Sequence, residues 1–264
     1  MPNASRIYDC LLGGKDGLAA DRGAARGLLE VMPGAGTAAQ ANRDFLGRAV
    51  RVLADAGIDQ FLELGCGLPT QQNVHQVALS LNPEARVVYV DRDPVVVRHG
   101  QALLARDGVV AMVGADLRTP DQILRHPAVT SLLDFSRPVG VLMTAVLQFV
   151  PDADRPGEIV AAFRRAMCPG SYLVMSHECR DSLNPRQYAA ISGMYDMASC
   201  PVALRTRAEI LALLDGFDLM EPGLVDVLSW RPDCPSGDHV PGPYWQWPGH
   251  ATHVLGGVGA RVIS

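Results

Sequence analysis

From residue 57 onward the apolar positions alternate between short continuous runs and runs at helical spacing. Residues 60–64 (QFLEL) form a compact apolar segment between Gly57 and Gly65, which predicts a strand. Residues 70–81 put Val74, Val77, Ala78 and Leu81 on one helical face, and Asn82-Pro83 stops that helix. Residues 86–91 (RVVYVD) are β-branched and aromatic, the composition of a buried strand. Pro94 opens a helix that carries Val97, Leu103 and Leu104 and ends at Gly108, and residues 109–113 are strand again. Thr119-Pro120-Asp121-Gln122 reads as a capping box with proline at the first helical position.

The rhythm continues with a strand at 139–143, a helix at 157–167 and a strand at 172–176. Thr206 then caps a further helix, with Glu209 three residues on. Repeated β-α units of this length require a mostly parallel sheet covered on both faces. The right-handed crossover rule then selects a doubly wound α/β fold, here of seven strands. The tail breaks the pattern: residues 223–230 and 252–263 read as two strands with no helix between them, an antiparallel C-terminal edge. Helices at 22–31 and 42–56 precede the first strand and predict an N-terminal helical cap. The chain is thus read as one domain, 1–264, with a cap (1–56) and a Rossmann-like core (57–264). An extra helix near 184–198, with Tyr188, Ile191, Met194, Tyr195 and Met197, either roofs a site or simply packs on the core.

Composition narrows the function. The 264 residues are 48% hydrophobic and 19% charged, enough to fill a sizeable core. A net charge of −5 with no basic tract argues against nucleic acid or an anionic membrane as partner. The longest apolar stretch, residues 139–150, is interrupted by Gly140, Thr144 and Gln148 and is too short to span a bilayer. Six cysteines with no CxxC pair read as reduced thiols, and no signal peptide precedes them, so a cytoplasmic location is expected. Cys234, His239, His250 and His253 match no metal-ligand spacing, so no metal is expected. Lys15 is the single lysine. A homo-oligomer is allowed by the sequence, and the aromatic cluster Tyr244, Trp245 and Trp247 could line a pocket, pack on the cap or join subunits.

The chemistry gathers at Glu63-Leu-Gly65-Cys-Gly67, where the first strand turns toward the first helix of the core. Glycines there let a ligand approach the backbone closely. Asp91 ends the second strand and Asp116 follows the third, so three acids share the carboxyl edge of adjacent strands, where open α/β sheets bind ligands. Asp91 and Asp116 could instead cap helices, but Asp93 before Pro94, and Thr119 before Pro120, fit that role better. Asp91 can accept both hydroxyl protons of a ribose, and Asp116 or the backbone beside it can meet an adenine amino group. The third glycine of a dinucleotide fingerprint is missing, as is a phosphate loop. An acid two residues before the first glycine repels a pyrophosphate but suits a ligand bearing an ammonium and a sulfonium.

The arrangement resembles class I S-adenosylmethionine-dependent methyltransferases, and the resemblance extends to one small family. Ala4-Ser-Arg6-Ile-Tyr8-Asp9, Leu11-Leu-Gly13-Gly14-Lys15-Asp16, Ala20-Asp21-Arg22, Gly67-Leu-Pro69-Thr70, Asn73-Val-His75, Val88-Tyr-Val-Asp91, Leu133-Asp-Phe135-Ser-Arg137-Pro138 and Trp230-Arg-Pro-Asp233 are similar to a family of S-adenosyl methyltransferases formerly catalogued as a domain of unknown function. The resemblance implies that Glu63, Gly65 and Gly67 hold the methionyl part, Asp91 with Arg92 the ribose side, and Asp116 with Leu117 the adenine. Tyr8, Lys15 and Ala145 join that cofactor-binding set, Tyr8 covering the cofactor and Lys15 pairing with a carboxylate. The chain departs from the family pattern at Cys66, Cys10 and Gln148, which stand where Thr, Tyr and His are commoner. The implied reaction is methyl transfer from S-adenosylmethionine to a small molecule, with His177 as the candidate general base and His75 as a packing residue. Alternatives are a non-catalytic module that binds S-adenosylmethionine, a nicotinamide-dependent oxidoreductase, and transfer of an aminocarboxypropyl group.

Overall fold

The structure is a computed structural model and describes residues 1–69, 72–105, 108–198, 201–232 and 252–262. Three helices come first: α1 (Ala4–Leu11), α2 (Ala19–Val31) and α3 (Ala35–Asp55). The core follows as β1 (Gln60–Leu64), α4 (Val74–Leu81), β2 (Arg86–Asp91), α5 (Pro94–Leu103) and β3 (Val110–Gly114). The short helices α6 (Pro120–Leu124) and α7 (Pro127–Thr130) lead to β4 (Gly140–Thr144), α8 (Pro156–Ala166) and β5 (Tyr172–Glu178). After α9 (Pro185–Met197) and α10 (Arg207–Leu213) the chain closes with β6 (Phe217–Leu219), β7 (Val225–Asp226) and β8 (Val254–Arg261).

The sheet runs β3-β2-β1-β4-β5-β8-β6, with β7 also paired to β8. β1 to β5 are parallel and β8 is antiparallel to β5, β6 and β7. The doubly wound expectation and its antiparallel edge therefore hold, with eight strands in place of seven. The extra strand arises because the edge facing β8 is split into two short pieces. β6 is three residues and β7 two, too short to show a period-2 pattern.

Side chains alternate across the sheet and sort into two cores. Leu62, Leu64, Val141, Met143, Leu173 and Met175 face α8 and α10. Phe61, Val87, Tyr89, Leu142 and Val174 face α3, α4 and α5. The second half of α3 is part of this layer: Phe45, Leu46, Ala49, Val50 and Leu53 are buried on the sheet. Phe45 meets Trp230 edge to face at 5.4 Å, and the buried Arg48 donates to the carbonyls of Trp230 (3.0 Å) and Val227 (2.6 Å). The Trp230 element of the family pattern thus anchors the tail to α3.

The start of α3 at Ala35, with α1, α2 and α9, forms a third cluster around Ile7, Leu28, Met32, Ile191, Met194 and Tyr195. This is the cap, larger than expected because α1 is helical as well. Its clasp is Asp21, fully buried, which accepts from Arg6 Nε (2.7 Å), Asn3 N (2.8 Å) and Leu18 N (2.8 Å). Two local expectations shifted. α4 starts at Val74 on an Asn73–Gln76 capping box, later than residue 70. At Thr119 the side chain makes no cap bond; its hydroxyl turns back to donate to the Asp116 carbonyl at 2.8 Å.

Candidate functional site

Parallel strands with the order 2-1-4 leave a crevice at their carboxyl ends, because crossovers on either side of β1 and β4 depart in opposite directions. In this chain the crevice deepens into a cavity of about 420 Å³. The strand pleat decides which side chains reach it. Glu63, Asp91, Thr144 and Glu178 each sit on the α3 side of their strand, and all four line the cavity. Asn42 and Arg43 from the first half of α3 face them.

Gly65 and Gly67 form the turn after β1, both at positive φ (70° and 67°). Gly67 N donates to Asp91 Oδ2 at 3.0 Å, and Asp93 N donates to Asp91 Oδ1 at 2.9 Å, so Asp91 is also a brace for the glycine turn. Burial raises the Asp91 carboxyl above the usual carboxylate range, against the pull of those two N–H groups. Asp93 is the N-cap of α5, accepting from Val95 N at 2.7 Å, as expected from its place before Pro94.

Glu63 is 3% exposed. Burial pushes its carboxyl up to about 7, with Asp91 adding to the rise and the Arg43 guanidinium opposing it. A buried carboxylate of this kind favours a cationic ligand. It also fixes a pH dependence. Unfolded, Glu63 ionises near 4.5; folded, near 7, so its ionisation opposes folding, and stability is lost as pH rises through that window. A Glu63→Gln variant of the ligand-free chain should match wild type near pH 4.5 and be more stable by about 3 kcal/mol at pH 8. Thermal melts at both pH values check this; a gap independent of pH would refute it.

Asp116 is differently placed. Its carboxylate is gripped by Arg118, with Nε at 3.0 Å and a second guanidinium nitrogen at 2.6 Å, and Arg92 stands 3.7 Å away. Burial alone would raise this carboxyl, but Arg118 outweighs burial and holds it below the usual range. Asp116, Leu117 and Arg92 all line the cavity, but the acid meets a ligand already paired.

Ala145, after β4, also lines the cavity and adopts φ +49°, a left-handed conformation unusual for alanine. Its N–H donates to Ser176 Oγ at 3.0 Å. Ser176 Oγ donates to Asn42 Oδ1 (2.5 Å), Asn42 Nδ2 to Tyr8 Oη (3.0 Å) and Tyr8 Oη to the Ala39 carbonyl (3.0 Å). Tyr8 is therefore placed over the cavity by α3, and burial raises its phenol above the ordinary value.

Two expected site residues lie elsewhere. Lys15 is exposed and does not line the cavity. The turn that follows α1 wraps around Asp9, which accepts from Gly14 N through its carbonyl (2.8 Å) and from Asp16 N through Oδ2 (3.0 Å), and the lysine is left facing solvent. His177 is fully buried on the opposite face of β5 from the cavity. Its Nε2 accepts from Arg205 at 2.9 Å, so Nδ1 carries the proton and donates to the Glu178 carbonyl at 2.8 Å. Burial and the facing Arg205 push the imidazole down to about 4. With its lone pair taken, His177 has no acceptor to offer a substrate; it is a positioning residue for Arg205. His75 is likewise structural, with Nδ1 bonded to Tyr89 Oη at 2.9 Å.

The residues not foreseen are Asn42, Arg43 and Glu178. Glu178 had a signal: carrying the strand two residues past Ser176 puts it on the same face as Ser176 and opposite His177. Cys234, His239, His250, Tyr244, Trp245 and Trp247 lie outside the described residues. Among the described residues no group of His, Cys, Asp and Glu is arranged to hold a metal, and no helix is long and apolar enough to cross a membrane.

The sequence profile of one family, described as S-adenosyl methyltransferase, matches residues 1–260. The chain belongs to the S-adenosyl methyltransferase family. Its cofactor is S-adenosylmethionine. Two solved structures agree over nearly the whole length. A candidate methyltransferase from Thermobifida fusca YX is 41% identical with a TM-score of 0.88, over 99% of this chain and 96% of that one. A DUF574 family protein from Streptomyces avermitilis MA-4680 is 36% identical with a TM-score of 0.89, over 99% and 98%. The human N-acetylserotonin methyltransferase, solved in complex with S-adenosylmethionine, shares the fold at 13% identity and a TM-score of 0.51, over 99% of this chain and 63% of that one. No curated protein matches the chain. For a methyltransferase the cavity has the needed parts: buried acids for the cationic portion, and at Gly67 a position where an added Cβ meets nothing within 4 Å, leaving room for a ligand against the backbone.

Proposed function

We propose that the chain transfers the methyl group of S-adenosylmethionine to a small molecule admitted beneath α1, α2 and α9. The observation that carries this reading is the continuity of the cavity. Its floor holds Glu63, Asp91 and Asp116 along one sheet edge, and the same space extends to an apolar chamber walled by Leu28, Met32, Phe149, Leu183, Ile191 and Tyr195. A module that only bound the cofactor would need the first part and not the second. An oxidoreductase reading gains nothing here, because neither Asn73 nor any residue of α4 lines the cavity, so that helix N-terminus is not presented to a pyrophosphate there.

When bound, S-adenosylmethionine supplies an activated methyl on a sulfonium. The chain's own residues then bind and orient. Glu63 and the backbone at Gly65 and Gly67 hold the methionyl end, with Arg43, whose buried Nε lacks a partner, available to its carboxylate. Asp91 takes the ribose hydroxyls on lone pairs left free by Gly67 N and Asp93 N. Asp116 and Leu117 border the adenine. Holding an acceptor in line with the methyl under a dry roof lowers the barrier without a nucleophilic side chain.

Asp91→Ala should weaken S-adenosylhomocysteine binding by about 2–4 kcal/mol through loss of two charge-assisted hydrogen bonds and of the brace on Gly67. Calorimetry checks it, and an unchanged affinity rejects the ribose role. Incubation of a metabolite extract with S-adenosylmethionine labelled either on the methyl group or on the aminocarboxypropyl carbons tests the transfer itself: the methyl label should move to a small molecule. Label moving on the aminocarboxypropyl carbons instead would replace this reading with that of the other transferase.

A further inference from the structure

Within the chamber two hydrogen-bond acceptors are left without donors. Gln148 is 3% exposed and its Oε1 is buried with no partner. Glu178 Oε2 is also buried with no partner. Both line the cavity. Of the donors lining the same cavity, the Tyr8 hydroxyl proton goes to Ala39 and one Asn42 amide N–H goes to Tyr8, and neither open acceptor receives a bond from them. Buried acceptors left open cost about 1–3 kcal/mol each, more when charged, and native proteins rarely keep two in one place without a use. Burial lifts the Glu178 carboxyl to about 7, and among the described residues no cation draws it back.

Position separates these groups from the cofactor residues. In the order β2-β1-β4-β5, Asp91 and Glu63 end or approach the ends of the first two strands, and Glu178 ends the fourth. Glu178 thus stands two strands from Glu63, in the same cavity as the apolar side chains of Phe149, Ile191 and Tyr195. A carboxylate and a carbonyl oxygen open to a cavity with apolar walls select a ligand with an apolar body and an N–H-rich, positively charged head.

We infer that the acceptor is an amine, whose nitrogen docks as an ammonium on Glu178 with Gln148 accepting a second N–H. This rests on the methyltransferase reading and names its substrate class. Before transfer the ammonium gives one proton to the Glu178 carboxylate, leaving a neutral nitrogen with its lone pair. That pair forms the new N–CH3 bond while the S–CH3 bond breaks, its electrons staying on sulfur, and the product is the N-methylated ammonium. A carboxyl that titrates near neutrality can take and release that proton.

The test uses the full chain, with and without saturating S-adenosylhomocysteine, and three probes of one shape: benzylamine, benzyl alcohol and benzoate. Calorimetry should show benzylamine binding at least tenfold tighter than benzyl alcohol, and benzoate weakest. Glu178→Gln should abolish that preference to within twofold while S-adenosylhomocysteine affinity stays within twofold of wild type. Glu178→Asp, which keeps the charge, should retain the order of the probes and shows that the loss is not one of folding. Equal binding of the three probes, preference for benzoate, or a preference unaltered by Glu178→Gln overturns the inference. So does loss of S-adenosylhomocysteine affinity in Glu178→Gln, which would assign Glu178 to the cofactor's own ammonium. Failure of the wild-type chain to bind S-adenosylhomocysteine would sink the methyltransferase reading separately, since the amine preference is also read on the free chain.

Discussion

Gly65→Ala is expected to lower stability by about 3–5 kcal/mol and to abolish measurable binding of S-adenosylhomocysteine. Two costs coincide at this position. The backbone is at φ +70°, which a side chain occupies only under strain. A Cβ would also stand 2.1 Å from Val146 Cγ2, so the turn after β1 and the segment after β4 cannot both keep their places. Gly67 separates the two effects. It shares the positive φ, but a Cβ there meets nothing within 4 Å. Gly67→Ala should therefore cost about 1–2 kcal/mol in stability, with its loss felt mainly in ligand affinity. Val146→Ala placed in the Gly65→Ala background should recover part of the stability, a coupling that a double-mutant cycle reads directly. Equal melting temperatures for the two single variants, or no coupling with Val146, would reject the steric account.

Asp21→Ala is the second large effect, about 3–5 kcal/mol on the cap. The carboxylate gathers three donors from two helices and their flanks, and its removal strands the guanidinium of Arg6, whose side chain is 14% exposed, together with the N–H groups of Asn3 and Leu18. Burial alone would raise the Asp21 carboxyl, but Arg6 and the two N–H groups hold it below the usual range. The clasp is therefore fully present above the ordinary carboxylate value and is lost as pH falls through the lower folded value. Limited trypsin digestion at neutral pH should release the N-terminal helices of the variant while the sheet core survives. Cleavage no faster than wild type would show that α1 is held by its apolar contacts alone.

The parallel core was legible because each of its strands is a short, largely buried run between turn residues, and buried strands read as continuous apolar composition. α1 was not, because only Ile7 and Asp9 in it are buried and the apolar partners of Ile7 come from α2 and from α9, nearly two hundred residues away. The three acids were found on chain geometry, since parallel strands bring their carboxyl ends to one edge whatever lies between. What each acid is doing was less visible. Asp116 is held by an arginine two residues on, and Asp91 by the backbone of the glycine turn, pairings that depend on side-chain direction. His177 and Glu178 are the instructive pair. A histidine at a strand end looks chemically apt, but the pleat sends it to Arg205 and gives the cavity to its neighbour. Lys15 misled for another reason: a rare residue type invites attention, yet the turn around Asp9 turns it outward.

One long helix sets how the enclosure can open. α3 runs unbroken for 21 residues, about 30 Å, with its first half over the ligand space and its second half fused to the sheet. A rod so anchored cannot swing without tearing out Phe45 and the Arg48 ties to the tail. Among the described elements the rest of the roof is α1, α2 and α9, and α3 serves as the fixed jamb against which they pack.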